Sequence, residues 1–278
     1  MTRIACQQIA PVLGELAANA AAAEAAIRAA LDAGAEVVVL PELCTSGYMF
    51  SGPEQAAGVA IGRADPILAA WAKLARESGA VICGGFCEAC ADGRLYNSAA
   101  LFPGAGPPSF YRKLHLWDRE KLVFTPGSEL PPVIDTAVGR VAAVVCYDLE
   151  FPELTRAIAL AGAQLLLVPT NWPHFPRPAG ERPAEVVVAM ATARMNRMAV
   201  ACADRAGIER GQAWEQGATI VGADGWVAAE SREPGLIVAD VDLEAALDKR
   251  FTELADAFGD RRSDLYGSPA GVPAGTPR

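Results

Sequence analysis

Residues 141–153, VAAVVCYDLEFPE, decide how the chain is read. The apolar run from Val141 to Val145 has no polar relief, the pattern of a strand covered on both faces. Cys146 closes the run, and Asp148, Glu150 and Glu153 follow, with Pro152 where a helix can begin. A strand that turns into a helix is where an open α/β sheet presents chemistry, because ligands gather beyond the carboxyl ends of strands. Cys146 is therefore either an inert core cysteine or a nucleophile held at a sheet edge. Taken alone, the first reading is the commoner one, since free cysteine is among the most buried residue types.

Outward from this stretch, strand-like and helix-like segments alternate. RIACQQIA (3–10), EVVVLPE (36–42), AVICGGFCEA (80–89), RLYNSAALF (94–102) and SFYRKLHLW (109–117) read as strands. So do QLLLVPT (164–170), AVACAD (199–204) and GLIVADVD (235–242). Residues 14–35, rich in alanine and ending near Gly34, form a strong helix pattern. Further helices are expected over 65–79, about 152–162 and 184–198. Asp92-Gly93 marks a hairpin turn, and GATIVGADGWVAAES (217–231) a second hairpin. The order predicts one α/β domain with mixed sheets.

Of 278 residues, 52% are hydrophobic and 21% charged, enough to bury a substantial core. The net charge of −9 and pI near 4.9 argue against nucleic acid as a partner. No apolar run approaches the ~20 residues of a membrane span. The opening MTRIACQQIAPVLGE has polar and helix-breaking residues where a signal peptide needs an apolar core. A cytoplasmic protein is expected, its seven cysteines reduced.

A cysteine hydrolase needs a base for the thiol proton and donors for an oxyanion. The chain has two histidines, His115 and His174, and no evident Asn or Asp to orient His115, though a Cys–His pair stays open. Glu42 ends a buried run before the small-residue loop LCTSGY; alone, it reads as a surface or capping acid. Lys113 alone reads as one of several exposed bases in RKLHLWDREK. Together and in order, LPELCTSGY, YRKLHLW with the following FTPG, and CYDLEFPE resemble the nitrilase superfamily of carbon–nitrogen hydrolases. The resemblance runs from the first strand to about residue 240 and includes NWP (171–173) and GATIVGADG (217–225).

That resemblance implies a catalytic triad of Glu42, Lys113 and Cys146, with Glu120 as a second acid and Asp118 as its competing match. It implies substrate contacts from Tyr48, Tyr147, Asn171 and Trp172, with Trp117 nearby, and no metal or organic cofactor. Lys113 is expected to favour the thiolate and, with the Tyr147 N–H, to hold the oxyanion, while Glu42 moves protons near neutrality. Asp148, Glu150 and Glu153 read as helix N-terminal acids, Asp148 also bracing the nucleophile turn. The implied fold is a four-layer αββα sandwich, one domain over 1–258 with an extended tail over 259–278. A homodimer or higher homo-oligomer is implied, and AEVVVAMATARM (184–195), apolar on more than one face, agrees.

The expected reaction is release of ammonia from a small aliphatic or ω-amide through a thioester. N-carbamoyl compounds and nitriles are the alternatives. True nitrilases commonly carry Trp after the nucleophile, whereas Tyr147 is similar to amidase branches. Arg177 and Arg182 offer a cation for a substrate carboxylate. A reading from another class rests on CGGFCEAC (83–90), which gives Cys83, Cys87 and Cys90 the spacing of radical-SAM iron–sulfur enzymes. Strand alternation sends Cys83 and Cys87 to one face and Cys90 to the other, so buried structural cysteines fit at least as well.

Overall fold

Two six-stranded sheets pack face to face with helices outside each. In the computed structural model, which describes residues 1–266, the first sheet holds β1 (Thr2–Gln8), β2 (Val37–Val39), β3 (Val81–Ala89), β4 (Leu95–Phe102) and β5 (Ser109–Arg112). Strand Gly235–Val241 closes its far edge against β1. The second sheet holds β6 (Ile134–Thr136), β7 (Gly139–Ala143), β8 (Leu165–Pro169) and β9 (Ala199–Ala203), extended by Thr219–Val221 and Val227–Glu230. Each sheet has three parallel strands at its centre, β1–β2–β3 and β7–β8–β9, with antiparallel flanks.

Parallel neighbours need crossovers, and helices supply them. Helix α1 (Leu16–Asp32) joins β1 to β2, and α2 (Pro53–Ala57) and α3 (Pro66–Ser78) join β2 to β3. Across the molecule, α4 (Pro152–Leu160) links β7 to β8, and α5 (Ala184–Asn196) links β8 to β9. The uniformly apolar runs follow from this layering. In β2, Val37 and Val39 face the other sheet while Val38 packs under α1 and α3 beside Ile27 and Trp71. Both faces are covered, so neither tolerates a polar residue. The expected αββα sandwich is the observed architecture.

The strands are shorter than the apolar runs. β7 ends at Ala143, and Cys146–Glu150 winds into a 3-10 turn before α4 starts at Pro152. β5 ends at Arg112, one residue before Lys113, so the stretch read as a strand through Trp117 is mostly loop. Only Glu153 lies in the first turn of α4; Asp148 and Glu150 belong to the 3-10 turn. Of the expected tail, Ser263–Tyr266 forms a helical turn and 267–278 lie outside the described residues. Among the described residues, no helix is long and apolar enough to cross a membrane.

Candidate active site

The chain leaves β2, β5 and β7 on one rim, and each exit delivers one side chain to a common point. Lys113 Nζ lies 2.6 Å from Glu42 Oε1 and 2.8 Å from Glu120 Oε1, with all three residues buried. Glu42 Oε1 also accepts from Asn97 Nδ2 at 2.7 Å, while its Oε2 has no partner. Glu120 accepts from the Tyr48 hydroxyl at 2.6 Å. Asp118, the competing match, is exposed at the start of the same 3-10 turn. The approach of β3 to the Glu42 exit requires glycine at 85, where a Cβ would sit 2.5 Å from both Glu42 Cα and Leu43 N.

Cys146 is buried and carries a φ of +47°, the left-handed region, which costs a non-glycine residue about 1–3 kcal/mol. Asp148 supplies the counterweight. Its Oδ2 accepts the Val145 N–H at 3.2 Å and the Tyr111 hydroxyl at 2.8 Å. Its Oδ1 accepts the His115 N–H at 3.0 Å and meets His115 Nδ1 at 2.8 Å. Asp148 is thus a buried brace in the first turn of the 3-10 helix that carries Cys146, and not an acid at the start of α4. It also orients His115, for which the sequence showed no partner because the two lie 33 residues apart. His115 stacks on Phe151 with ring centroids 3.5 Å apart, which completes the brace.

Burial first, then the Glu42 carboxylate, push the Cys146 thiol well above its usual range, against Lys113 and a hydrogen bond from the Asn171 backbone N–H. Burial and Glu42 thus oppose the thiolate that Lys113 favours. Glu42 is pushed up to about 7, by burial and then by the charge of Glu120, against Lys113 and Asn97. Burial alone would lower Lys113, but Glu120 and Glu42 outweigh it and hold the ammonium charged. A buried thiol thus stands with a carboxylate that titrates near neutrality and a permanent cation. Such a set can move one proton and stabilise one developing negative charge.

Two cavities meet here. A cavity of about 20 Å³ is lined by Cys146, Tyr147, Asn171, Trp172 and Trp117. A chamber of about 360 Å³ is lined by Tyr48, Trp117, Glu120, Arg210 and Trp214. Trp117 and Pro173 wall both. Tyr147 packs edge-on against Trp117 at 4.8 Å, and Asn171 Nδ2 donates to the Glu42 carbonyl at 3.0 Å.

Sequence reading missed Asn97 and Trp214, whose contacts come from other strands and loops and leave no local spacing signal. Arg177 and Arg182 do not offer a free cation: Arg177 pairs with Glu215 at 2.6 Å and Arg182 with Glu230 at 3.1 Å. Cys83 packs between the sheets, Cys87 packs with Leu43 and Phe50, and Cys90 lies partly exposed beside Arg112. Their sulfurs serve separate packing environments. Among the described residues, no group of three His, Cys, Asp or Glu is arranged to hold a metal ion.

A family model described as carbon–nitrogen hydrolase matches residues 3–250. A nitrilase of Pyrococcus abyssi is 34% identical over 274 residues, covering 96% of this chain and 99% of its own. An N-carbamoylputrescine amidase of Arabidopsis thaliana is 31% identical over 91% of this chain and 90% of its own. The crystal structure of an amidase from Nesterenkonia sp. superimposes with a TM-score of 0.80 and 29% identity, covering 95% of each chain. A cysteine-to-alanine mutant of that amidase is known in complex with butyramide, and another mutant carries the acetamide moiety of fluoroacetamide on its active site cysteine.

Proposed function

This chain belongs to the carbon–nitrogen hydrolase family, and we propose that it is an amidase that releases ammonia from small aliphatic amides through a thioester on Cys146. One observation carries the reading: the buried meeting of Glu42, Lys113 and Glu120 around a thiol on a strained turn. Glu42 Oε2, free of protein partners, takes the thiol proton as Cys146 Sγ attacks the amide carbon. The C=O electron pair moves onto oxygen, where the Lys113 ammonium and the Tyr147 N–H stabilise it. The tetrahedral adduct collapses, the C–N bond breaks, and Glu42 passes its proton to departing ammonia. Glu42 then deprotonates a water that attacks the thioester, and the carboxylic acid leaves as the thiol is restored. Lys113 keeps its charge throughout, and Glu120 holds it in register with Tyr48.

The confined cavity beside Cys146 favours a short acyl group. The butyramide complex and the fluoroacetamide adduct of the Nesterenkonia amidase support the same size class. Ammonia release is measured from butyramide, an ω-amide, an N-carbamoyl amino acid and an aliphatic nitrile. The aliphatic amide is expected to turn over fastest; a nitrile that matches it would overturn the assignment. A homodimer belongs to the same reading, because Val187 and Met195 on α5 and the nearby Trp226 leave apolar surface exposed. The seven cysteines are free thiols, which suits a reducing, cytoplasmic setting.

A further inference from the structure

Asp204 stands outside the cluster of Glu42, Lys113, Glu120 and Cys146, yet it is wholly buried and acts only as an acceptor. It follows β9 directly. Its Oδ1 accepts the backbone N–H groups of Trp172 and Arg205, each at 2.9 Å, and the Thr170 hydroxyl at 3.3 Å. Its Oδ2 accepts the Gly217 N–H at 2.9 Å. One carboxylate therefore ties the loop that leaves β8 to the turn that opens the late hairpin.

Thr170 and Trp172 flank Asn171, which holds the backbone beneath one reacting group and walls the cavity of the other. Its side chain donates to the Glu42 backbone carbonyl at 3.0 Å, the Glu42 N–H donates to the Thr170 carbonyl at 3.4 Å, and Asn171 and Trp172 line the cavity at Cys146. We propose that Asp204 is a positioning residue, which fixes Asn171 through Thr170 and Trp172 and thereby sets the geometry between the nucleophile and its base. This rests on the hydrolase reading of Cys146 and Glu42.

The geometry also says what about Asp204 matters. Three of its four contacts fall on Oδ1, and an amide oxygen at that place accepts them equally well. An amide nitrogen at the Oδ2 place opposes only the Gly217 N–H. Burial pushes the carboxyl up to about 7 against the Gly217, Trp172 and Arg205 N–H groups, while four donors converge on its two oxygens. Acceptor placement, not charge, does the positioning.

The experiment compares full-length Asp204→Ala, Asp204→Asn and Asp204→Ser with wild type. It follows steady-state turnover of the fastest amide in the panel and the rate of Cys146 alkylation by iodoacetamide, read from the Cys146 peptide by mass spectrometry. Asp204→Ala is expected to lose kcat on the order of 10²-fold with KM changed less than about threefold, and to slow alkylation roughly tenfold. Asp204→Asn is expected to stay within about threefold of wild type in both, a rescue that a purely structural loss would not produce. Asp204→Ser, with one short oxygen, falls between them and replaces the alanine variant if that chain does not remain folded. A folded alanine or serine variant with wild-type kcat and alkylation rate would overturn the proposal, as would an asparagine variant as slow as alanine. A wild type without amide turnover would instead sink the hydrolase reading, and the alkylation rates would still decide the role of Asp204.

Discussion

Lys113→Met removes the cation shared by Glu42 and Glu120 while keeping most of the side chain's bulk. The two carboxylates grip one ammonium at 2.6 and 2.8 Å, so without it they face each other across a dry gap. Like charges about 5 Å apart at an effective dielectric near 20 repel by about 3 kcal/mol, which moves a protonation midpoint by about two units. Glu42 is already held near 7, and the substitution drives it higher. At about pH 8 the variant is expected to lose about 3–5 kcal/mol, the cost of breaking a buried pair on one side. The sign with pH follows from linkage. A carboxyl whose folded midpoint lies above its unfolded value binds protons preferentially in the folded state. Stability therefore falls as pH rises through the window from about 4.5 to the raised midpoint, at about 1.4 kcal/mol per unit for one group. Urea unfolding of wild type and variant at about pH 5.5 and about pH 8 is the assay, and the deficit should shrink clearly at the lower pH. Turnover should fall on the order of 10³-fold, since the members of such a set act as a unit. A variant with equal deficits at both pH values and turnover within about tenfold of wild type would refute the shared-cation argument.

Cys146→Ala should abolish ammonia release, by more than about 10²-fold, yet leave thermal unfolding close to wild type, because Asp148 still braces the turn. A protein that melts far earlier would show that the sulfur contributes packing the geometry does not suggest. The rate kcat/KM should rise with pH through about 7 as Glu42 loses the proton that blocks it from acting as base. Glu42→Gln should remove that limb together with roughly 10³-fold of the turnover, and a limb that survives in the glutamine variant would assign it to another group.

Much of the architecture was legible in the chain. The runs at 37–39, 141–145 and 165–169 are apolar on every residue because each is covered on both faces. The three ordered motifs also pointed to Glu42, Lys113 and Cys146, each of which stands where a strand gives way to a turn or loop. Strand ends were less legible: apolar character continues through Val144 and Val145 after the ladder has stopped, because the core outlasts the hydrogen bonding.

Only the tertiary structure decided how these groups act on one another. Lys113 meets Glu42 across 71 residues of sequence, Asn97 meets Glu42 across 55, and Asp148 meets His115 across 33. Local periodicity records which face is buried; it carries no distance between strands so far apart. Charge states depend on those distances and on water exclusion by the opposing sheet, which is why burial and Glu42 push the Cys146 thiol up although Lys113 pulls it down. Asp204 shows the same division: one acid at a strand end in the sequence, and in the folded chain the acceptor on which two loops and the nucleophile's neighbour converge.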